Sequence, residues 1–377
     1  MRNAAPDAQA EALLASFERT GFARAAPAIL QPAEPFLDLS GEDIRKRMYL
    51  TTDPQGQELC LRPDLTIPVS RDYLASPAAG KPQGFCYLGP VFRHRGDAPG
   101  EFLQAGVESF GRLDTPAADA EMLALGLEAT AHYGLAAPDV RMGDIGLFSA
   151  LVAALDLAPA WKRRLIKDFN HKSSLVQDLD RLAVSTTRAK SEYQGVLSAL
   201  AGSDPQAARA LVTDLLSIAG ITAVGGRSVG EIAERFLEQA AVAAQSSLPP
   251  DIRVLIEKFL AVTGDLGHVA SALRSLARDA KIKLDAALDL LEARTDCFAA
   301  RGVKAGSIRF STAFGRGLDY YSGFVFELHD GASRQSGPLV AGGRYDGLLT
   351  RLGSTKPIPA VGFAAWIDRL SALPEGS

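Results

Sequence analysis

Apolar residues recur along this chain at two spacings, and each spacing predicts a different element. Ile252, Leu255, Ile256, Phe259 and Leu260 share one face of a helix that Pro250 opens and Gly264 is expected to close. Leu284, Ala287, Leu288 and Leu291 repeat that period. RMYLTT (47–52) and QELCLR (57–62) instead flank the tetrapeptide Asp53-Pro54-Gln55-Gly56. Proline second and glycine fourth suit a type I turn, so the segment predicts a β-hairpin. FCYLGPVFR (85–93) and EFLQAGVESFG (101–111) predict a second hairpin. Thr115-Pro116 is expected to cap a helix that stops at Gly134.

Glycine and proline separate these two kinds of segment along the chain. Residues 151–300 hold 8 of the 35 glycines and 4 of the 21 prolines. Helix interiors exclude both residues, whereas tight turns between strands need them. The expected class is therefore α+β, with two flanks (1–145 and 301–377) that supply one sheet and a mostly helical insertion (146–300). The strands of both flanks are expected to share that sheet, because neither flank alone has enough of them.

Composition narrows the functional classes. The chain has 377 residues, 47% of them hydrophobic and 22% charged, a globular composition. At roughly 100–200 residues per domain it is long enough for two or three domains. A net charge of −4 offers no bulk field for nucleic acid. No apolar run approaches the roughly 18 residues of a membrane span, and the N-terminal segment is helical and charged, unlike a signal peptide. Cys60, Cys86 and Cys297 are odd in number and far apart, which points to a reducing, cytoplasmic setting and to no zinc site.

Phosphate-loop, zinc-protease, nucleophile-elbow and dinucleotide motifs are missing, and the five histidines are scattered. More telling are polar residues inside predicted strands. Alternation puts Phe102, Gln104, Gly106, Glu108 and Phe110 on one face of 101–111. An amide and a carboxylate around a glycine could floor a pocket for a small polar ligand, or could face water at a sheet edge. LRPDLT (61–66), FGRGLDYYSG (314–323) and AGGRYDGL (341–348) gather further carboxylates, arginines and tyrosines. Tyrosine hydroxyls with carboxylates suit an imidazole or amide, an arginine fork suits a carboxylate or phosphate, and aspartate suits an ammonium. Together they fit a zwitterionic amino acid.

LRPDLT, LGPVFRHR, EFLQAGVESFG, GRGLDYYSGFVFE, LVAGGRYDGL and AVGFAAWIDRL occur in the order found in histidyl-tRNA synthetases. This resemblance covers roughly 1–145 and 301–374. It implies a class II synthetase-like antiparallel sheet flanked by helices, a dimer built around Pro27 to Pro35, and a histidine pocket. Carried over by position, Glu108 and Tyr321 contact the imidazole, with Tyr345 and the neighbouring Tyr320 beside them. Gln104 and Arg93 lie near the ligand carboxylate, Asp64 and Thr66 hold the α-ammonium, and Arg316 matches the arginine that assists activation in the synthetases.

The departures from the synthetase pattern are equally specific. Asp64-Leu65 stands where the synthetases have glutamate then glycine. The loop between Arg93 and Gln104 is shortened, with Arg95 at an acidic position. Trp366 replaces a glycine that leaves room near adenine, and Arg369 is retained. The sequence stops at Ser377, so no anticodon-binding domain and no tRNA partner are expected. A kept histidine pocket beside a lost ATP site is similar to the regulatory subunits of ATP phosphoribosyltransferase. That resemblance implies no catalysis and no cofactor, assembly with the short-form catalytic subunit into a hetero-oligomer containing a homodimer, and feedback by L-histidine in histidine biosynthesis. A histidine-activating ligase with a non-tRNA acceptor and a scaffold with a vestigial pocket are the alternatives.

Overall fold

The computed structural model describes residues 8–39, 44–96, 98–169, 175, 205–218, 248–331 and 337–374. Most of the expected insertion between 170 and 247 lies outside them. The chain divides into two compact units, Met1–Leu151 with Phe259–Ser377, and Val152–Lys258.

The first unit is built on a nine-stranded sheet. In chain order its strands are β1 (Ala23–Arg24), β5 (Gln83–Phe92), β6 (Glu101–Phe110), β7 (Asp139–Asp144), β8 (Thr263–Gly264), β9 (Ile308–Ser311), β10 (Phe324–His329), β11 (Val340–Arg344) and β12 (Ala360–Trp366). Their spatial order is β1-β5-β6-β12-β11-β10-β7-β9-β8. Strands of the two flanks thus interleave in one sheet. A separate three-stranded sheet holds β2 (Leu30–Pro32), β3 (Tyr49–Thr52) and β4 (Glu58–Leu61).

Both predicted hairpins are present, β3 with β4 and β5 with β6. Around the first turn the Gly56 N–H donates to the Asp53 carbonyl at 3.0 Å, and Gly56 takes φ +85, where a side chain would strain. The main sheet is not wholly antiparallel, since β1 runs parallel to β5 and β7 parallel to β9. Parallel neighbours need a long crossover, and residues 145–307 supply one between β7 and β9.

Helices cover the sheet through phenylalanine contacts. Helix α1 (Ala8–Arg19) packs on β5 and β6, and Phe17 meets Phe363 edge-on at 5.9 Å. Helix α3 (Thr115–His132) lies over β10, β11 and β12, where Gly126 lets it come close to Phe326. Thr115 is the first helical residue of α3 and not its cap. Asp114 holds the cap position, but its carboxylate is taken by Arg112 Nε at 3.0 Å.

Helices α4 (Leu266–Asp279) and α5 (Asp285–Ala300) belong to the sheet unit, although the expected insertion spans 146–300. Their apolar stripes, Leu266, Val269 and Leu273 on α4 and Leu288, Leu291 and Phe298 on α5, are buried; α4 packs near β9 and α5 against α3. Scarce glycine marks a helix, but it does not say which surface the helix covers. Gly264 also differs from expectation: the helix Pro250–Leu260 ends earlier, and Gly264 lies in β8, paired with Phe310 of β9. In the second unit the described part of helix Pro159–Phe169 buries Trp161, Leu165 and Phe169 and exposes Arg163, an amphipathic four-residue period.

Candidate functional site

Glu108 is the centre of the site. It stands on β6, between β5 and β12, and is fully buried, so its strand face is interior and not a wetted edge. Gly362 is its cross-strand partner, and a Cβ there would collide with Glu108 Oε2. The missing side chain on β12 is what lets the carboxylate lie across the sheet. Three hydroxyls donate to it: Thr66 Oγ1 to Oε1 at 2.7 Å, Tyr87 to Oε1 at 3.1 Å, and Tyr345 to Oε2. Burial pushes the Glu108 carboxyl up to about 8 against the pull of those hydroxyls. Such a group exchanges a proton near neutrality, as does an imidazole with its unperturbed value near 6.5.

Helix α2 (Thr66–Ala75) begins directly after Asp64-Leu65 and brings both predicted ammonium contacts inward. Asp64 Oδ1 accepts the Ile67 N–H at 3.1 Å at the first turn. Burial raises the Asp64 carboxyl while Arg93 opposes that rise. Arg93 itself donates through Nε to the Pro63 carbonyl at 2.6 Å, and burial lowers its guanidinium to about 10. Thr66 is bonded to Glu108, so the ammonium and imidazole contacts of the sequence reading are here joined through one hydrogen bond.

Tyr320, Tyr321 and Tyr345 form an aromatic cluster with ring centroids 4.9 to 6.4 Å apart. Arg316 Nη1 donates to the Tyr321 hydroxyl at 3.3 Å, and its Nε lies 3.4 Å from Glu327, which also meets His329. Gln104 is two side-chain positions from Glu108 on the same face of β6. Its Oε1 is buried without a hydrogen-bond partner among the described residues. An orphaned acceptor suits an ammonium better than the carboxylate expected from sequence.

Tyr87 was not among the expected site residues. Gly106, between Gln104 and Glu108 on that strand face, has Tyr87 as its register partner. A Cβ at Gly106 would meet the Phe363 carbonyl oxygen and lie 2.5 Å from the Tyr87 hydroxyl, so the space is filled by that ring and by β12 backbone. Alternation in FCYLGPVFR shows which face Tyr87 takes, but only pairing of β5 with β6 sets it against Gly106.

Beside this cluster opens a cleft of about 280 Å³. Arg47, Arg93, Arg95, Arg316 and Arg369 line it, together with Trp366 and the Glu327 carboxylate. Arg95 pairs with Asp368 at 3.0 Å and lies over Phe102 at 4.4 Å. Arg369 donates to the Pro338 carbonyl at 2.6 Å, with its guanidinium 5.1 Å from the Trp366 ring centre.

Residues 3–225 and 210–370 match the profile of the family described as histidyl-tRNA synthetase. Among solved structures, an ATP phosphoribosyltransferase regulatory subunit/histidyl-tRNA synthetase from Bacillus halodurans superposes with a TM-score of 0.65 at 22% identity, covering 98% of this chain and 81% of its own. The histidyl-tRNA synthetase of Nostoc sp. PCC 7120 gives 0.61 at 18%, with 96% and 69% covered. These two show the fold, that of the class II histidyl-tRNA synthetases. The ATP phosphoribosyltransferase regulatory subunit of Brucella ovis is 41% identical over 348 residues, 92% of this chain and 91% of its own. Its counterpart in Brucella abortus (strain 2308) matches to the same extent. This chain belongs to the ATP phosphoribosyltransferase regulatory subunit family. In this regulatory-subunit homologue Glu108, Tyr87 and Tyr345 are buried, and the indole of Trp366 walls the neighbouring cleft. None of its described helices is long and apolar enough to cross a membrane.

Proposed function

We propose that the chain is a regulatory subunit of ATP phosphoribosyltransferase that carries out no reaction of its own. It binds L-histidine at Glu108, assembles with the short-form catalytic subunit, activates it, and transmits histidine feedback to the first step of histidine biosynthesis. The observation that carries the histidine reading is the buried Glu108 carboxyl, ringed by Thr66, Tyr87 and Tyr345 hydroxyls and flanked by Tyr320 and Tyr321. An imidazole entering there exchanges its N–H bonds with these groups. Asp64, the orphaned Gln104 acceptor and Arg93 are left for the ammonium and carboxylate. Feedback then follows from histidine binding one state of the assembly more tightly than another. Pairing of two copies through Pro27 to Pro35 is supported by Ile29 and Leu30, which are 43% and 48% exposed.

The test is reconstitution with a short-form catalytic subunit. Activation by this chain, reversed by millimolar L-histidine and insensitive to histidine after Glu108→Gln, is expected; no co-purification and no activation would sink the proposal. Three of the arginines lining the cleft, Arg93, Arg316 and Arg369, favour a second reading, a histidine-activating ligase. Histidine-dependent ATP–pyrophosphate exchange by the pure chain would establish that reading and remove the first.

A further inference from the structure

Outside the cleft, two arginines join α5, α3, β7 and β11 by buried ion pairs. Arg294, on α5, is 1% exposed; its Nε donates to Asp119 Oδ2 at 2.8 Å and its Nη1 to Asp144 Oδ2 at 2.7 Å. Asp119, on α3, turns its other oxygen to Arg344 Nε, also at 2.8 Å. Arg344 Nη1 then reaches Asp346 Oδ1 at 2.8 Å, and that oxygen accepts the Ala360 N–H at 2.9 Å. Between Arg344 and Asp346 stands Tyr345, whose hydroxyl is bonded to Glu108. We propose that Arg344 and Arg294 are positioning residues of the histidine pocket, which hold the Tyr345 hydroxyl on Glu108 through the shared Asp119 carboxylate. This rests on the histidine-binding reading above and adds a control point to it.

The main chain around Tyr345 is pinned on both sides. Its N–H donates to the Ala360 carbonyl at 2.8 Å, and the Arg344 carbonyl accepts the Ser322 N–H at 2.9 Å. Ser322 Oγ in turn accepts the Asp346 N–H at 3.0 Å. Successive side chains in extended backbone leave on opposite sides, so one short segment carries Tyr345 toward the pocket and Arg344 toward the ion pairs. Asp119 has each oxygen held by a guanidinium from a different element, α5 and β11. That arrangement fixes its rotation as well as its place. Buried ion pairs add little net stability over apolar packing because desolvation offsets the attraction; what they add is direction. A displacement of α5 or α3 therefore reaches the hydrogen bond at Glu108 through a single backbone step.

Two measurements on the full chain test this. In the first, L-histidine is titrated calorimetrically into the wild type, Arg344→Lys, Arg294→Lys and the half-exposed Asp346→Asn, with thermal midpoints recorded alongside. Losing a hydrogen bond to a charged group corresponds to about a ten-fold weaker histidine affinity, expected for Arg344→Lys and less for the others. In a Tyr345→Phe background the same substitutions are expected to change affinity by less than about two-fold, since the route is already cut. Affinities that stay at the wild-type value while the midpoint falls would assign the ion pairs to folding alone and overturn the inference. Equal losses with and without the Tyr345 hydroxyl would overturn it too. The second measurement needs no ligand: carbon-13 NMR of glutamate-labelled chain follows the Glu108 titration. Arg344→Lys and Tyr345→Phe are expected to raise its midpoint alike, and an unmoved midpoint in Arg344→Lys would overturn the inference. A wild type that binds no histidine but shows this shared rise would refute the proposed function and leave the positioning intact.

Discussion

Glu108 concentrates the chemistry of this chain in one residue, and its environment makes a pH prediction. Burial lifts its folded value from the usual 4.5 to about 8. Between those two values the folded chain holds a proton that the unfolded chain has released, so this group's contribution to stability declines as pH rises from about 4.5 to about 8. Above that window both states are ionised and the contribution is flat. Glu108→Gln removes the titration. The wild type is expected to lose stability relative to this variant on going from pH 5 to pH 8.5, as read from thermal midpoints; parallel curves would show that the carboxyl is not raised. Sequence alone picked out Glu108 because a carboxylate inside an alternating strand is unusual. Tyr87 and Gly362 escaped notice because their roles exist only across strand pairs.

The elements divide into those set by local chemistry and those set by partners. The first hairpin follows from its turn residues and a strand of the second from alternation, both of which act within a few positions. Helices α4 and α5 lie in the stretch whose scarce glycine and proline mark it as helical, but they are not legible as parts of the sheet unit, because that scarcity does not name a helix's partner. The start of α4 allows a local test. Asp265 Oδ1 accepts the His268 N–H at 2.8 Å, a side-chain cap that satisfies one of the helix's first free donors. Asp265→Ala is expected to lower the stability of the sheet unit by about 1 kcal/mol in chemical denaturation. Histidine affinity should not change, since α4 carries no pocket residue.

At the scale of the whole molecule, the interleaving of flanks matters most. Strand β6 from the first flank is zipped to β12 from the second over Phe110↔Ala360 to Gln104↔Trp366, and Glu108 depends on that register. The sheet unit should therefore unfold in one step. In a Trp161→Phe background, fluorescence of Trp366 on β12 and thiol labelling of Cys86, buried on β5, are expected to report the same denaturation midpoint. Separate midpoints would mean that the flanks are independent. The sequence by itself determined the α+β class, the hairpins, the turn chemistry and the motifs that mark the family, because each depends on residues close together in the chain. It also named most of the side chains now found around Glu108. Only the tertiary structure decided that Tyr87 fills the space over Gly106, that Thr66 joins two expected subsites, and that Arg294 and Arg344 meet on Asp119. Those contacts span from 19 to 225 positions along the chain. They arise only once strands pair and helices choose a face to cover, and no local pattern encodes that choice.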